Sequence, residues 1–371
     1  MQPLIHAYYK DQSAGIFDMD EANRRGRFEW LPAFQKAFSQ LTDGPKMEEP
    51  SRILDFDANS NLPLLFNDLL PGSFSKSLLR EALRNTNRTV ESLSTLAWLS
   101  LTGDRGMGAF RFEPAGYPEL NAIEPVDLDR MVRYAALIQQ GRGSELSDRR
   151  LRELLRCGLF VKGTSPKILV AINDFTGEVL SGQSAIPEGF NGWIVKLDGV
   201  VVGSAEKLAE EYAFYQKALA CGIQVTPCRM LRDGHLKHLL VKRFDRVLRE
   251  RRAFVTCPPN VCSWEEVFRL LRAFKLPYPD MDELYKRLVF STYTMNGTYG
   301  TSQICFTFDP FEQWRLAPAF NLKPSTEKPT SGLTLLGKNG DWTTEDLLTF
   351  GKQMNIRKAT KIVEALSSIL L

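Results

Sequence analysis

Lys162-Gly163-Thr164-Ser165-Pro166-Lys167 runs straight into Ile168-Leu169-Val170-Ala171-Ile172. A turn of small residues that feeds an apolar run presents backbone amides where an anion can settle. The apolar run is short and β-branched, so it reads as a buried strand. Taken alone, the turn is neither a Walker A sequence nor a G-x-G-x-x-G loop, and it also reads as an ordinary strand connection with surface lysines.

Further strand candidates follow at 192–197, 224–230 and 239–244, with one helix at about 204–221. This pattern predicts a mainly antiparallel sheet carrying a single helix. Lys196 ends the apolar strand Trp193-Ile194-Val195, and Glu210 and Glu211 on the following helix are placed to pair with it. Strand lysine to helix glutamate is a phosphate-handling arrangement in kinases; the same residues also read as a surface ion pair. Beyond Cys262 the chain is largely helical. Ser263-Trp264-Glu265-Glu266 has capping-box spacing, 281–293 continues in helical periodicity, Thr343-Thr344-Glu345-Asp346 opens another helix, and 356–370 forms the last.

Upstream, 127–159 is helical, with Met131, Tyr134, Ala135 and Ile138 on one side. The Arg-rich stretch 149–156 reads as a solvated face. The first ~110 residues mix short strands with helices, one capped by Ser73 and one by Thr89, and close on a strand at 107–112. The expected fold is α+β in three parts: an accessory domain at 1–120, linker helices and a sheet-rich lobe at 121–245, and a helical lobe at 246–371.

The 371 residues are 43% hydrophobic and 25% charged, a globular mixture. A formal charge of +3 is too small for nucleic-acid binding by bulk charge. Six cysteines form no C-x-x-C pair and only three histidines are present, which argues against zinc, a disulfide framework or a histidine-based hydrolytic triad. No apolar stretch is long enough to span a bilayer and no signal-peptide core is present, so a cytoplasmic location without membrane contact is expected.

Several segments together resemble the HipA-type serine/threonine kinases, toxins of bacterial toxin-antitoxin pairs. They are Lys162 to Lys167, Trp193-Ile194-Val195-Lys196-Leu197, Ala209-Glu210-Glu211-Tyr212, Cys221-Gly222-Ile223, Val241-Lys242-Arg243-Phe244-Asp245-Arg246 and Trp314-Arg315-Leu316-Ala317-Pro318-Ala319-Phe320-Asn321-Leu322. Ala14-Gly15-Ile16-Phe17, Leu65-Phe66-Asn67-Asp68-Leu69-Leu70-Pro71-Gly72 and Thr102-Gly103-Asp104-Arg105-Gly106-Met107-Gly108-Ala109 resemble the accessory domain of those kinases. The resemblance implies a two-lobed protein-kinase-like fold. It also implies ATP as ligand, with Gly163, Thr164, Ser165 and Lys167 over the phosphates, Lys196 touching them, Glu211 beside Lys196, and Val241, Arg243 and Phe244 lining the adenine slot. The implied partner is a small helix-turn-helix antitoxin, through which any contact with DNA would run.

The catalytic half departs from the family. Its Asn-x-Asp-x-His-x-x-Asn loop corresponds to Asn296-Gly297-Thr298-Tyr299-Gly300-Thr301-Ser302-Gln303. This puts Thr298 at the base, Gly300 at the histidine and Gln303 at the metal-binding asparagine, while Asn321 stands for the second metal-binding aspartate. Loss of a general base typically costs on the order of 10²- to 10⁴-fold, and neutral amides serve Mg²⁺ poorly. The reading is a HipA-like pseudokinase with no metal ligands. The alternatives are an active kinase toxin acting on a translation component, its metal held by Asp245, Asp309 or Glu312, and a regulator acting on DNA with its antitoxin.

Overall fold

The structure, a computed structural model, describes residues 4–20, 25–42, 52–57, 62–247, 249–294, 299–308, 313–323 and 332–371. They divide into two compact units: 1–39 with 51–209 and 227–253 in the first, and 40–50 with 210–226 and 254–371 in the second.

The first unit opens with an antiparallel sheet of β1 (Ile5–Tyr9), β2 (Gln12–Asp20), β3 (Arg25–Trp30), β4 (Ile53–Asp57) and β5 (Phe110–Glu113), in the order β4-β3-β2-β1-β5. Strand period is visible in β3: Arg25, Arg27 and Glu29 face out, while Gly26, Phe28 and Trp30 are buried. Phe28 and Trp30 meet Phe17, Phe66 and Phe110 in an aromatic core. Short helices α1 (Pro32–Ala37), α2 (Ser39–Thr42), which passes into the second unit at Gln40, and α3 (Leu64–Asn67) precede α4 (Ser73–Leu83) and α5 (Thr95–Thr102). Thr89 caps only the turn Val90–Ser92, and Ser94 caps α5 instead of Thr89, because Leu93 is extended between them.

Two amphipathic helices follow, α6 (Leu128–Gln139) and α7 (Asp148–Gly158). In α7, Leu151, Leu154, Leu155 and Gly158 recur at helical intervals and are buried. Four arginines of these helices have acidic neighbours: Arg149 with Glu153 at 3.4 Å, Arg130 with Asp127 at 3.1 Å, Arg133 with Asp129, and Arg156 with Glu124.

The second sheet of this unit has the order β7-β6-β8-β10-β9, all antiparallel, from β6 (Lys167–Ile172), β7 (Val179–Ser181), β8 (Asn191–Lys196), β9 (Cys228–Asp233) and β10 (Leu236–Lys242). β9 starts later than its sequence suggests. Pro227 has no N–H for a ladder, and residues 224–226 pair with Ala319 instead. Leu78 of α4, Leu154 of α7, Ile168, Val195 and Leu240 share one core, so the sheet and both sets of helices bury a common face. A small hairpin, β11 (Arg246–Val247) with β12 (Glu250–Arg251), completes the unit. Helix α8 (Ser204–Ala220) begins in the first unit and continues into the second.

The second unit holds a three-stranded sheet, β13 (Phe254–Thr256), β14 (Cys305–Phe308) and β15 (Trp314–Leu316), with helices α9 (Trp264–Ala273), α10 (Tyr278–Thr294), α11 (Thr344–Gln353) and α12 (Ala359–Leu370). The Ser263 hydroxyl accepts from Glu266 N–H at 3.2 Å, while the Glu266 carboxylate turns to Cys262 N–H at 2.7 Å, one residue before the position a capping box uses. No helix among the described residues is long and apolar enough to cross a membrane.

Candidate nucleotide site

In the first unit, Lys167 opens β6 and is paired across the strands with Lys196, the last residue of β8; Lys196 is paired in turn with Leu239 of β10. Directly paired residues of antiparallel strands share a face, so the two lysines stand side by side. Gly163 has φ +99°, and a Cβ there would lie 2.6 Å from Lys167 Nζ. The φ itself calls for glycine, since the flexible end of Lys167 could move aside; Gly163 and Thr164 are exposed and Ser165 is half-buried. Left-handed backbone beside the Lys167 ammonium, with Lys196 its strand partner, is an arrangement suited to the phosphates of a nucleotide.

Val241 is buried on β10 and Phe244 is partly exposed just beyond it. Glu211 is buried on α8, in the second unit. The Arg243 guanidinium is fully enclosed: Nε and Nη2 donate to Asp245 Oδ1 and Oδ2 at 2.9 and 2.7 Å, and Nη1 to the Gly182 carbonyl at 2.7 Å. Asp245 also accepts from Arg246 Nη1 at 2.7 Å and from Gly108 N–H at 2.8 Å. Burial alone would raise the Asp245 carboxyl; Arg243, Arg246 and the Gly108 amide outweigh it and hold the group well below the usual carboxylate range. Arg246 and Arg251 complete the cluster by donating to the carbonyls of Asp104, Gly106, Gly108 and Phe110. Burial, followed by the neighbouring Arg243, pulls Arg251 down to about 10. The Arg-Phe-Asp-Arg segment and the Gly103-to-Ala109 turn therefore form one buried assembly. This explains why the predicted strand at 107–112 shortens to Phe110–Glu113: the preceding carbonyls face arginines.

In the second unit, Thr298 lies outside the described residues, as do Asn296, Asp309 and Glu312. Gln303 is buried, and its carboxamide is engaged at both ends: Oε1 accepts from Gly300 N–H at 3.0 Å and Nε2 donates to the Asn321 carbonyl at 2.9 Å. Asn321 has φ +52°, a conformation asparagine tolerates, and its N–H donates to Tyr215 Oη at 2.5 Å. Gly300 offers no side chain, Asn321 no charge, and the Gln303 amide is committed to backbone. These described positions do not fit a divalent cation, which prefers charged oxygen donors.

The segment leading to Asn321 is anchored by α10. Glu283 Oε1 accepts from Gln224 N–H at 2.9 Å and from Arg287 Nε at 3.1 Å. Gln224 carbonyl then accepts from Ala319 N–H at 2.8 Å, and Thr226 N–H donates back to the Ala319 carbonyl at 2.9 Å. Sequence reasoning missed Tyr215 and Glu283, because neither contact leaves a local motif.

An antiparallel sheet carrying a strand lysine and a small-residue turn, with a helical unit that holds a short sheet, define a kinase-like α+β fold. The HipA N-terminal domain family matches residues 5–113 and the HipA-like C-terminal domain family matches residues 159–370; the chain belongs to the HipA family. Among solved structures, HipA of Shewanella oneidensis MR-1, determined in complex with HipB and operator DNA, is 14% identical over 99% of this chain and 91% of that one, with a TM-score of 0.61. That likeness shows a shared fold. The Helicobacter pylori proinflammatory kinase CtkA is 13% identical over 57% of this chain and 88% of that one, with a TM-score of 0.34, too low to bear on the argument. No curated protein matches the chain.

Proposed function

We propose that this chain is a HipA-type pseudokinase that binds a nucleotide without using it for efficient phosphoryl transfer. The observation that carries the reading is the state of Gln303: the carboxamide at the metal-ligand position ties Gly300 to Asn321. The phosphate side keeps its paired lysines and glycine turn. Phosphoryl transfer depends on positioning and on metal ions that neutralise developing charge, and this chain supplies the first without the second. The active-kinase alternative would draw on Asp245, whose carboxylate is held by two guanidinium groups and an amide.

Calorimetric titration with ATP is the direct test. ATP is expected to bind with an affinity that Mg²⁺ changes by less than about twofold, and Lys196→Ala to weaken it by about tenfold or more. Phosphate transfer at rates of about 1–100 s⁻¹, usual for kinases and abolished by Lys196→Ala, would overturn the reading.

We also propose a helix-turn-helix antitoxin as partner, with DNA contacted through it and not by this chain alone. The support is the complex of the Shewanella relative with HipB and operator DNA, together with the near-neutral charge here. Steeply salt-dependent operator binding is expected with the partner present and weak binding without it. Equal affinity and salt slope in both cases would count against the partner's role.

A further inference from the structure

The phosphate turn is gripped from the N-terminal side of its own unit. Lys162 Nζ, at the head of the turn, lies 2.6 Å from Asp68 Oδ1, and the Asp68 side chain is only 4% exposed. Four residues on, Gly72 N–H donates to the Val161 carbonyl at 3.2 Å. A Cβ on Gly72 would stand 2.5 Å from both the nitrogen and the oxygen of Gly163, a separation real Cβ atoms essentially never show. Ser75, in the first turn of α4, donates its hydroxyl to the carbonyls of Gly158 and Val161 at 2.9 and 3.0 Å. The segment from Asp68 to Ser75 thus fixes the backbone on which Gly163 adopts its left-handed conformation.

We infer that Asp68 and Gly72 are positioning residues for the nucleotide turn, so that the HipA N-terminal domain sets the affinity with which residues 163–167 hold nucleotide phosphates. The inference rests on the reading that this turn receives those phosphates. Physically, an exposed glycine turn bound only at its ends loses much conformational freedom when it closes on a ligand. A turn already clamped has little left to lose, and its affinity rises accordingly. Asp68 cannot act by attraction, since a carboxylate near the turn repels phosphate. Its electrostatic and positioning effects therefore differ in sign.

The test uses the full chain and two readouts, amide hydrogen exchange over 161–167 and calorimetric affinity for ATP. Asp68→Asn and Gly72→Ala are each expected to speed exchange in that stretch while leaving β8 and β10 protected. Each is also expected to weaken ATP by about fivefold, a coupling of ordinary size. Asp68→Glu, which keeps the charge pair with Lys162, is expected to restore both. If Gly72→Ala fails to fold, Asp68→Asn and its rescue decide. Unchanged exchange in Asp68→Asn overturns the inference, as does faster exchange with ATP affinity unchanged or increased. Absence of ATP binding by the unaltered chain would instead refute the nucleotide reading, and the exchange measurements would still judge the clamp.

Discussion

Asp245→Ala is expected to destabilise the first unit by about 3–5 kcal/mol, because removing one partner of a buried ion pair leaves the remaining charges uncompensated. Arg243 and Arg246 are each almost wholly enclosed, and Arg251 donates to backbone carbonyls beside them. With Asp245 gone, these guanidinium groups face one another with only carbonyl dipoles for company. The penalty is pH-dependent in a defined direction. The Asp245 carboxyl is depressed in the folded state, so its contribution is complete above the unfolded value of about 4 and is lost as pH falls below it. Denaturant unfolding at pH 7 should show the full difference between the variant and the unaltered chain. The gap should narrow as the pH falls below about 4, and an equal gap at both pH values would mean the carboxylate's charge is not what matters.

Glu283→Ala should be nearly as costly in the second unit, again about 3–5 kcal/mol by the same logic. Arg287 is 2% exposed, and its Nε loses its carboxylate. The Gln224 amide simultaneously loses its acceptor. Glu283→Gln keeps an oxygen for that amide but not the charge, so it should cost less, about 1–3 kcal/mol. Denaturation midpoints of the two variants separate these contributions. If Gln and Ala behave alike, the charge is the dominant element and the Gln224 contact is incidental. The functional echo is local: the Gln224-Ala319 pairing leads directly to Asn321, so the Ala variant should also disturb the backbone at that position.

The amino-acid sequence carried the regular elements well where burial imposes a period. The helices at Leu154, Leu284 and Val363 announce themselves by spacing, whereas the strands at Ile168 and Val195 do so by short, almost continuously apolar runs. It did not carry β7, whose three residues are too short to show a period, or the division of labour between Thr89 and Ser94, which turns on the extended backbone at Leu93. The site divides in the same way. Lys196 and the glycine turn of the proposed site stand out in the sequence because phosphate chemistry would call for recognisable residues. The acceptors of Arg246 and Arg251 are backbone carbonyls, which leave no signature in residue identity. The role of Gln303 was hidden for a related reason: its partners are the peptide groups of Gly300 and Asn321, brought together only by the fold.

The carbonyl-lined turn at 104–110 also limits how the molecule can be divided. A fragment begun after residue 120 would retain Arg243, Arg246 and Arg251 but discard the carbonyls of Asp104, Gly106, Gly108 and Phe110 that Arg246 and Arg251 bond. Arg251 would lose all four of these carbonyl acceptors and Arg246 those of Gly106 and Gly108, while Arg243 would keep Asp245 and Gly182. The N-terminal segment thus acts as an internal solvent for Arg246 and Arg251, and a cut at the intervening linker takes that solvation away.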